Sequence, residues 1–151
     1  MAHDFNLFPE LRNSQMSEFY FESPHKQIQE DFRATVVKVH DGDTITLRTD
    51  FRDFDFPLRF LETNAPELNE KGGQESKEWL AKLIEGEEIE ILMNTDQRVG
   101  KYGRLLGKPF FRGLDVGVSS ITLGHSTTFE GRNEGKLPKL EKEFNTKQWL
   151  T

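Results

Sequence analysis

The sequence of 151 residues contains no cysteine, which excludes disulfide bonds, thiolate zinc sites and a cysteine nucleophile. It also lacks any run of about 20 apolar residues, the length that a membrane-spanning helix requires, so we expect no membrane partner. The four histidines are scattered singly, without an HExxH or a GxSxG motif. Zinc-protease and serine-hydrolase chemistry therefore have little support.

A basic excess is missing as well, because 26 acidic side chains outnumber 20 basic ones and give a net charge of −6. A protein that coats nucleic acid by charge alone is basic, so any contact with nucleic acid requires a local site. Residues 1–14 show no basic segment followed by an apolar run. No secretory signal is thus visible, and an intracellular location is favoured.

Three segments differ in their pattern. Residues 1–31 form an aromatic and acidic arm that we expect to pack on the body of the protein. Residues 32–129 form the predicted globular domain, and residues 130–151 a linker followed by a C-terminal helical segment. We expect a monomer, with the two terminal segments as alternative sites for an oligomer contact.

The globular domain alternates between strand and helix patterns. β-branched or alternating residues predict five strands, at residues 34–41, 43–50, 56–64, 87–94 and 104–111. Helical spacing over residues 72–86 predicts a helix that ends at Gly86, and residues 116–124 predict a shorter one. A short helix is also predicted from Asn13 or Ser14. This order predicts a β-barrel with helices (α+β), a five-stranded Greek-key barrel of the OB type.

Three short motifs, DGDT (41–44), RFLETNAPE (59–67) and KYGR (101–104), lie where predicted strands end. They supply the carboxylates of Asp43 and Glu67, the amide of Asn64 and the guanidinium groups of Arg59 and Arg104. Oxygen ligands suit Ca²⁺ or Mg²⁺, paired arginines suit a phosphate, and a carboxylate beside a metal suits a general base. Each motif alone is more often structural: DGDT is typical of a turn, APE of a strand end and KYGR of a surface hairpin. Together they predict phosphodiester hydrolysis.

Residues 34 to about 125 resemble the staphylococcal nuclease-like (thermonuclease) family. The resemblance rests on four segments of matching spacing, which are ATVVKVHDGDTITL, RFLETNAPE, GGQESKEWLAKLIEG and KYGR. It implies a five-stranded OB barrel with helices and a Ca²⁺-dependent nuclease that cuts DNA and RNA.

The resemblance also implies roles for individual positions. The catalytic residues that it implies are Arg59, Glu67 and Arg104. The metal ligands that it implies are Asp43, Asn64 and the backbone carbonyl of Ala65. Contacts to the terminal phosphate of the substrate would come from Lys101 and Tyr102.

Asn64 is a departure from the family, which has a second metal-binding aspartate at this place. An amide oxygen can bind Ca²⁺ but brings no charge, so the metal affinity should fall, and Mg²⁺ or Mn²⁺ become alternatives. Asp41 is the best placed carboxylate to replace the charge. Glu62, Asp53 and Asp55 are further candidates, and Glu62 should share a strand face with Asn64 if that strand is regular.

The aromatic residues near the end of the domain differ from the family too. Its base-stacking tyrosines have no equivalent after Gly124, where Phe129 is the nearest aromatic residue. The sequence therefore supports a metal-dependent nuclease acting on DNA, RNA or both. The alternative is a weakened or inactive OB-fold module that binds nucleic acid or a protein partner, and a purely structural protein is the third hypothesis.

Overall fold

A computed structural model describes residues 3–5, 7–19, 26–100 and 103–128. Lys101, Tyr102, Phe129 and the linker and helix predicted over residues 130–151 lie outside the described residues. No helix in the described part of the chain is long and apolar enough to cross a membrane.

The described residues form eight strands and three helices. The strands are β1 (Phe32–Asp41), β2 (Thr44–Arg48), β3 (Phe56–Phe60), β4 (Thr63–Asn64), β5 (Glu88–Leu92), β6 (Leu105–Phe111), β7 (Leu114–Asp115) and β8 (Thr127–Thr128). The helices are α1 (Asn13–Phe19), α2 (Gly73–Ile84) and α3 (Val116–Thr122).

Five of the strands close into a barrel. β2 pairs antiparallel with β1 and β3, β1 pairs with β5, and β5 pairs with β6. A parallel pairing between β3 and β6 closes the ring. The long strand β1 contributes to both sides of the barrel because register shifts, between Val36 and Lys38 and between Val39 and Asp41, bend it. The predicted OB-type barrel is confirmed.

The core follows from residue alternation along the strands. In β3, Phe56, Leu58 and Phe60 are buried, while the residues between them point outward. Helix α2 packs against the barrel through Leu80 and Ile84, which are fully buried. Trp79 and Leu83, predicted on the same helical face, are only partly buried at its edge.

The predicted third strand is wrong in one respect, since residues 56–64 form two strands instead of one. β3 ends at Phe60, and Glu62 adopts a φ of 66°, which turns the chain before the two-residue strand β4. The added short strands β7 and β8 pair with β6 and β4, respectively. The predicted end of α2 is confirmed, because Gly86 has a φ of 85°, a conformation that glycine adopts without steric cost.

The described part of the N-terminal segment contacts the barrel. Leu11 and Ile28 are buried, and Ile28 belongs to the core of the barrel. The backbone N–H of Leu11 donates to Oε1 of the fully buried Gln27 at 2.7 Å. Glu10 forms a buried ion pair with Arg52, which lies in the connection between β2 and β3. The short helix predicted here is present as α1, but Asn13 and Ser14, the predicted capping residues, lie within the helix.

Candidate active site

Asp43 lies at the corner between β1 and β2 and is 6% exposed. Its Oδ2 accepts a hydrogen bond from the backbone N–H of Ala65 at 2.8 Å, and its Oδ1 accepts one from the Thr44 hydroxyl at 3.0 Å. The backbone N–H of Asp43 donates to Oδ1 of Asp41 at 3.1 Å. Asp43 therefore fastens this corner to the segment that leads from β4 to Glu67.

Gly42 explains how the corner approaches its neighbours so closely. A Cβ atom at this position would lie 2.0 Å from Oγ of Ser76 on α2 and 2.6 Å from Cβ of Ala65. Only glycine leaves room for both contacts. The glycine of DGDT thus serves the packing of α2 against the site, since the φ of Gly42 is not positive.

Arg59 projects outward from β3, and its guanidinium group lies against the turn that follows. Nη1 donates to the carbonyl oxygens of Phe60 at 2.9 Å and Thr63 at 2.6 Å. Nη2 donates to Oδ1 of Asn64 and lies 3.4 Å from Oδ2 of Asp43. The turn at Glu62 directs the carbonyl oxygens of Phe60 and Thr63 toward Arg59. The turn that interrupts the predicted strand therefore positions this arginine.

Asn64 is 4% exposed and contacts Arg59 through its amide oxygen. Its Nδ2 is buried without a hydrogen-bond partner among the described residues, as is Oγ of Ser76. The metal-binding role of Asn64 stays a prediction, because the oxygen that would bind the cation accepts a hydrogen bond from Arg59 here.

The other acidic candidates differ in position. Glu62 does not share a face with Asn64, because its exposed carboxylate pairs with Nζ of Lys108 at 3.2 Å. Asp55 pairs with the exposed Arg48 at 2.9 Å, and Asp53 is exposed in the same connection between β2 and β3. Among these carboxylates, Asp41 is the one that contacts Asp43.

Glu67 and Arg104 are the remaining side chains of the predicted set. Glu67 is exposed and follows Ala65 by two residues, so the hydrogen bond between Ala65 and Asp43 fixes the start of its segment. Arg104 is half-buried and immediately precedes β6. The parallel register matches Leu106 with Arg59, and alternation places Arg104 on the outer face that these two residues share.

The electrostatics of the corner favour a proton or a cation beside the carboxylates. Burial raises the pKa of the Asp43 carboxyl to about 6, and a hydrogen bond with the Asp41 carboxyl adds to the rise. The Arg59 guanidinium opposes it. Ionisation of both carboxyl groups at once is unfavourable, because they are in contact and poorly solvated.

This donor set fits a hard divalent cation through Asp41 and Asp43, which together offer carboxylate oxygens in contact. The described residues contain no group of three or more His, Cys, Asp or Glu side chains placed to hold a metal ion. In this part of the chain, neutral oxygens are the further donors that lie near the two carboxylates. The Ala65 carbonyl has that chemistry, and Asn64 has it only if its amide oxygen leaves Arg59.

Two contributions to the site were missed from the sequence. The Thr44 hydroxyl supports Asp43, and its place beside Asp43 in DGDT is a signal that reveals it. The carbonyl of Thr63 supports Arg59. No local pattern marks Thr63, because a backbone carbonyl carries no sequence signature.

Comparisons with known proteins point to nucleases. The chain is 34% identical to a micrococcal nuclease of Shigella flexneri over 77 residues, which are 51% of this chain and 41% of that protein. It is 28% identical over 115 residues to an uncharacterized endonuclease of Escherichia coli O157:H7, covering 75% of this chain and 72% of that protein. The match thus spans about two fifths of the Shigella protein. No protein-family profile matches the chain.

Proposed function

We propose that the chain is a nuclease of the staphylococcal nuclease-like OB-fold family, which depends on a metal and hydrolyses phosphodiester bonds in DNA, RNA or both. The observation that carries the proposal is the contact of Arg59 with Asp43 and Asn64 at the rim of the barrel. This contact joins a guanidinium group to the carboxylate of Asp43, and Asn64 lies three residues before Glu67.

The site residues have separate roles in the proposed hydrolysis. Arg59 and Arg104 bind the phosphate and stabilise the negative charge that grows on its oxygens. Glu67 accepts the proton of a water molecule whose oxygen attacks phosphorus, while the bond from phosphorus to the leaving sugar oxygen breaks. Asp41 and Asp43 would hold the divalent cation, which would supply further charge neutralisation when bound.

We expect Ca²⁺ to support the reaction, with Mg²⁺ and Mn²⁺ as alternatives, and Asn64 to limit the affinity for the metal. Asn64→Asp adds a carboxylate close to Asp43, so half-maximal cleavage should require less metal. The measurement is a metal titration of cleavage, with Asn94→Asp in an exposed loop as the matched control. An unchanged metal requirement in Asn64→Asp would place the cation away from Asn64.

The proposed activity is tested with labelled single-stranded DNA, double-stranded DNA and RNA, each in Ca²⁺, Mg²⁺, Mn²⁺ or EDTA. The wild type should give products with metal and none in EDTA. Arg104→Ala should lower kcat/KM by about a hundredfold or more, since it removes a group that stabilises the transition state. Arg112→Ala, an exposed arginine on the hairpin after β6, is the matched control and should cleave normally.

A binding module without catalysis is the second candidate function. It is favoured by the neutral Asn64 and by the lack of a three-carboxylate group among the described residues. Such a module would retain oligonucleotides in EDTA, with an affinity that falls as salt rises, and would release no product in any metal. The same assay series therefore separates the two functions.

A further inference from the structure

The loop between β5 and β6 carries Arg104 and is anchored through its backbone beside Arg98. The N–H of Leu106 donates to the carbonyl of Arg98 at 2.8 Å, and the N–H of Gly100 donates to the carbonyl of Arg104 at 2.8 Å. Val99 and Leu105 form a β-bridge between these contacts. These bonds hold the backbone around Arg104 against the backbone of residues 98–100.

The side chain of Arg98 is held by the N-terminal segment. Arg98 is 3% exposed, and its Nε donates to the carbonyl of Ile28 at 2.7 Å. Its Nη1 donates to the carbonyl of Leu11 at 2.8 Å and to Oδ1 of Asn13 at 3.2 Å. Nδ2 of Asn13 donates in turn to the carbonyl of Thr95 at 2.6 Å, which is a second link to the same loop.

We define the arm junction as residues 10–13 and 26–28 together with Arg52 and Arg98. Burial lowers the pKa of Arg98, while Glu10 opposes that effect and Arg52 adds to it. A buried guanidinium is costly unless acceptors surround it, so the carbonyls of the arm are needed to keep Arg98 in place. Its planar group reaches both arm segments from two separate nitrogens, Nε and Nη1, whereas a lysine has a single nitrogen.

We propose that the N-terminal arm belongs to the framework of the active site, with Arg98 and Asn13 as positioning residues that hold the loop carrying Arg104. This inference rests on the proposed nuclease function for its consequence in catalysis. The coupling between the arm and the loop can be measured without any substrate, so it has a test of its own.

Hydrogen exchange in the full-length protein measures that coupling at the amides of Gly100 and Leu106. Asn13→Ala removes both contacts of an exposed side chain, and exchange at these amides should accelerate about tenfold while the central barrel strands stay protected. Arg98→Lys should give a larger effect. Arg33→Ala is the matched control, because Arg33 also makes two side-chain hydrogen bonds but joins the exposed faces of β1 and β5.

Cleavage kinetics then separate positioning from mere stabilisation. Asn13→Ala should lower kcat/KM about tenfold in the wild type but have no further effect in an Arg104→Ala background, because both changes act through the same group. Unchanged exchange at Gly100 and Leu106 in Asn13→Ala, or an equal activity loss in both backgrounds, would overturn the inference. A wild type that cleaves nothing would overturn the proposed function instead, and the exchange result would still decide the coupling.

Discussion

The barrel core and the arm junction are both buried, but different forces hold them. The core consists of apolar side chains that alternate along the strands, such as Ile45, Leu58 and Ile91, and its stability comes from apolar burial. The arm junction instead buries Glu10 with two arginines, and hydrogen bonds to backbone carbonyls compensate the charges. A small barrel can thus carry a second, polar buried region where a terminal segment meets the loop between β5 and β6.

Among the substitutions considered, Glu10→Ala should destabilise the arm junction most. The side chains of Glu10 and Arg52 are 1% and 0% exposed, so the change leaves a buried charge without its partner. We expect the free energy of unfolding to fall by about 3–5 kcal/mol, measured by denaturant unfolding. Glu90→Ala, which breaks the exposed pair with Arg33, should cost less than about 1 kcal/mol. Equal losses in the two variants would show that the junction contributes no more than a surface pair.

Leu58→Ala tests the apolar core of the barrel. Leu58 is fully buried at the centre of β3, and the change removes apolar contacts and leaves a cavity. The free energy of unfolding should fall by about 2–5 kcal/mol in the same denaturant experiment. Added salt should leave this loss unchanged, because no charge is involved. A salt-dependent loss would contradict the purely apolar character of the core.

The sequence predicts the core better than the junction for a physical reason. A period of two in FPLRF and a helical spacing around Leu80 indicate burial directly, so the start of β3 and both ends of α2 are predicted closely, whereas the end of β3 is not. The junction depends on contacts between distant parts of the chain, such as Arg98 with Leu11. No local pattern reports such contacts.

In the site, too, residues that belong to local motifs are predicted, whereas contacts that depend on the path of the chain between motifs are not. The motifs predict Asp43 and Arg59, and the structure brings the two side chains within 3.4 Å. The turn at Glu62 was not predicted, because a glutamate rarely adopts a positive φ and RFLETN contains neither glycine nor proline to signal a turn. The engagement of Asn64 with Arg59 follows from that turn and was missed with it.

Glu67→Gln tests most directly whether the residues at the rim of the barrel catalyse hydrolysis. Single-turnover cleavage of a labelled oligonucleotide in Ca²⁺ is measured together with its binding by fluorescence anisotropy. We predict that Glu67→Gln binds within a few-fold of the wild type but cleaves about a hundredfold more slowly, since the general base is lost. Glu78→Gln, on the exposed side of α2, should match the wild type in both. Cleavage by Glu67→Gln at the wild-type rate would contradict the account.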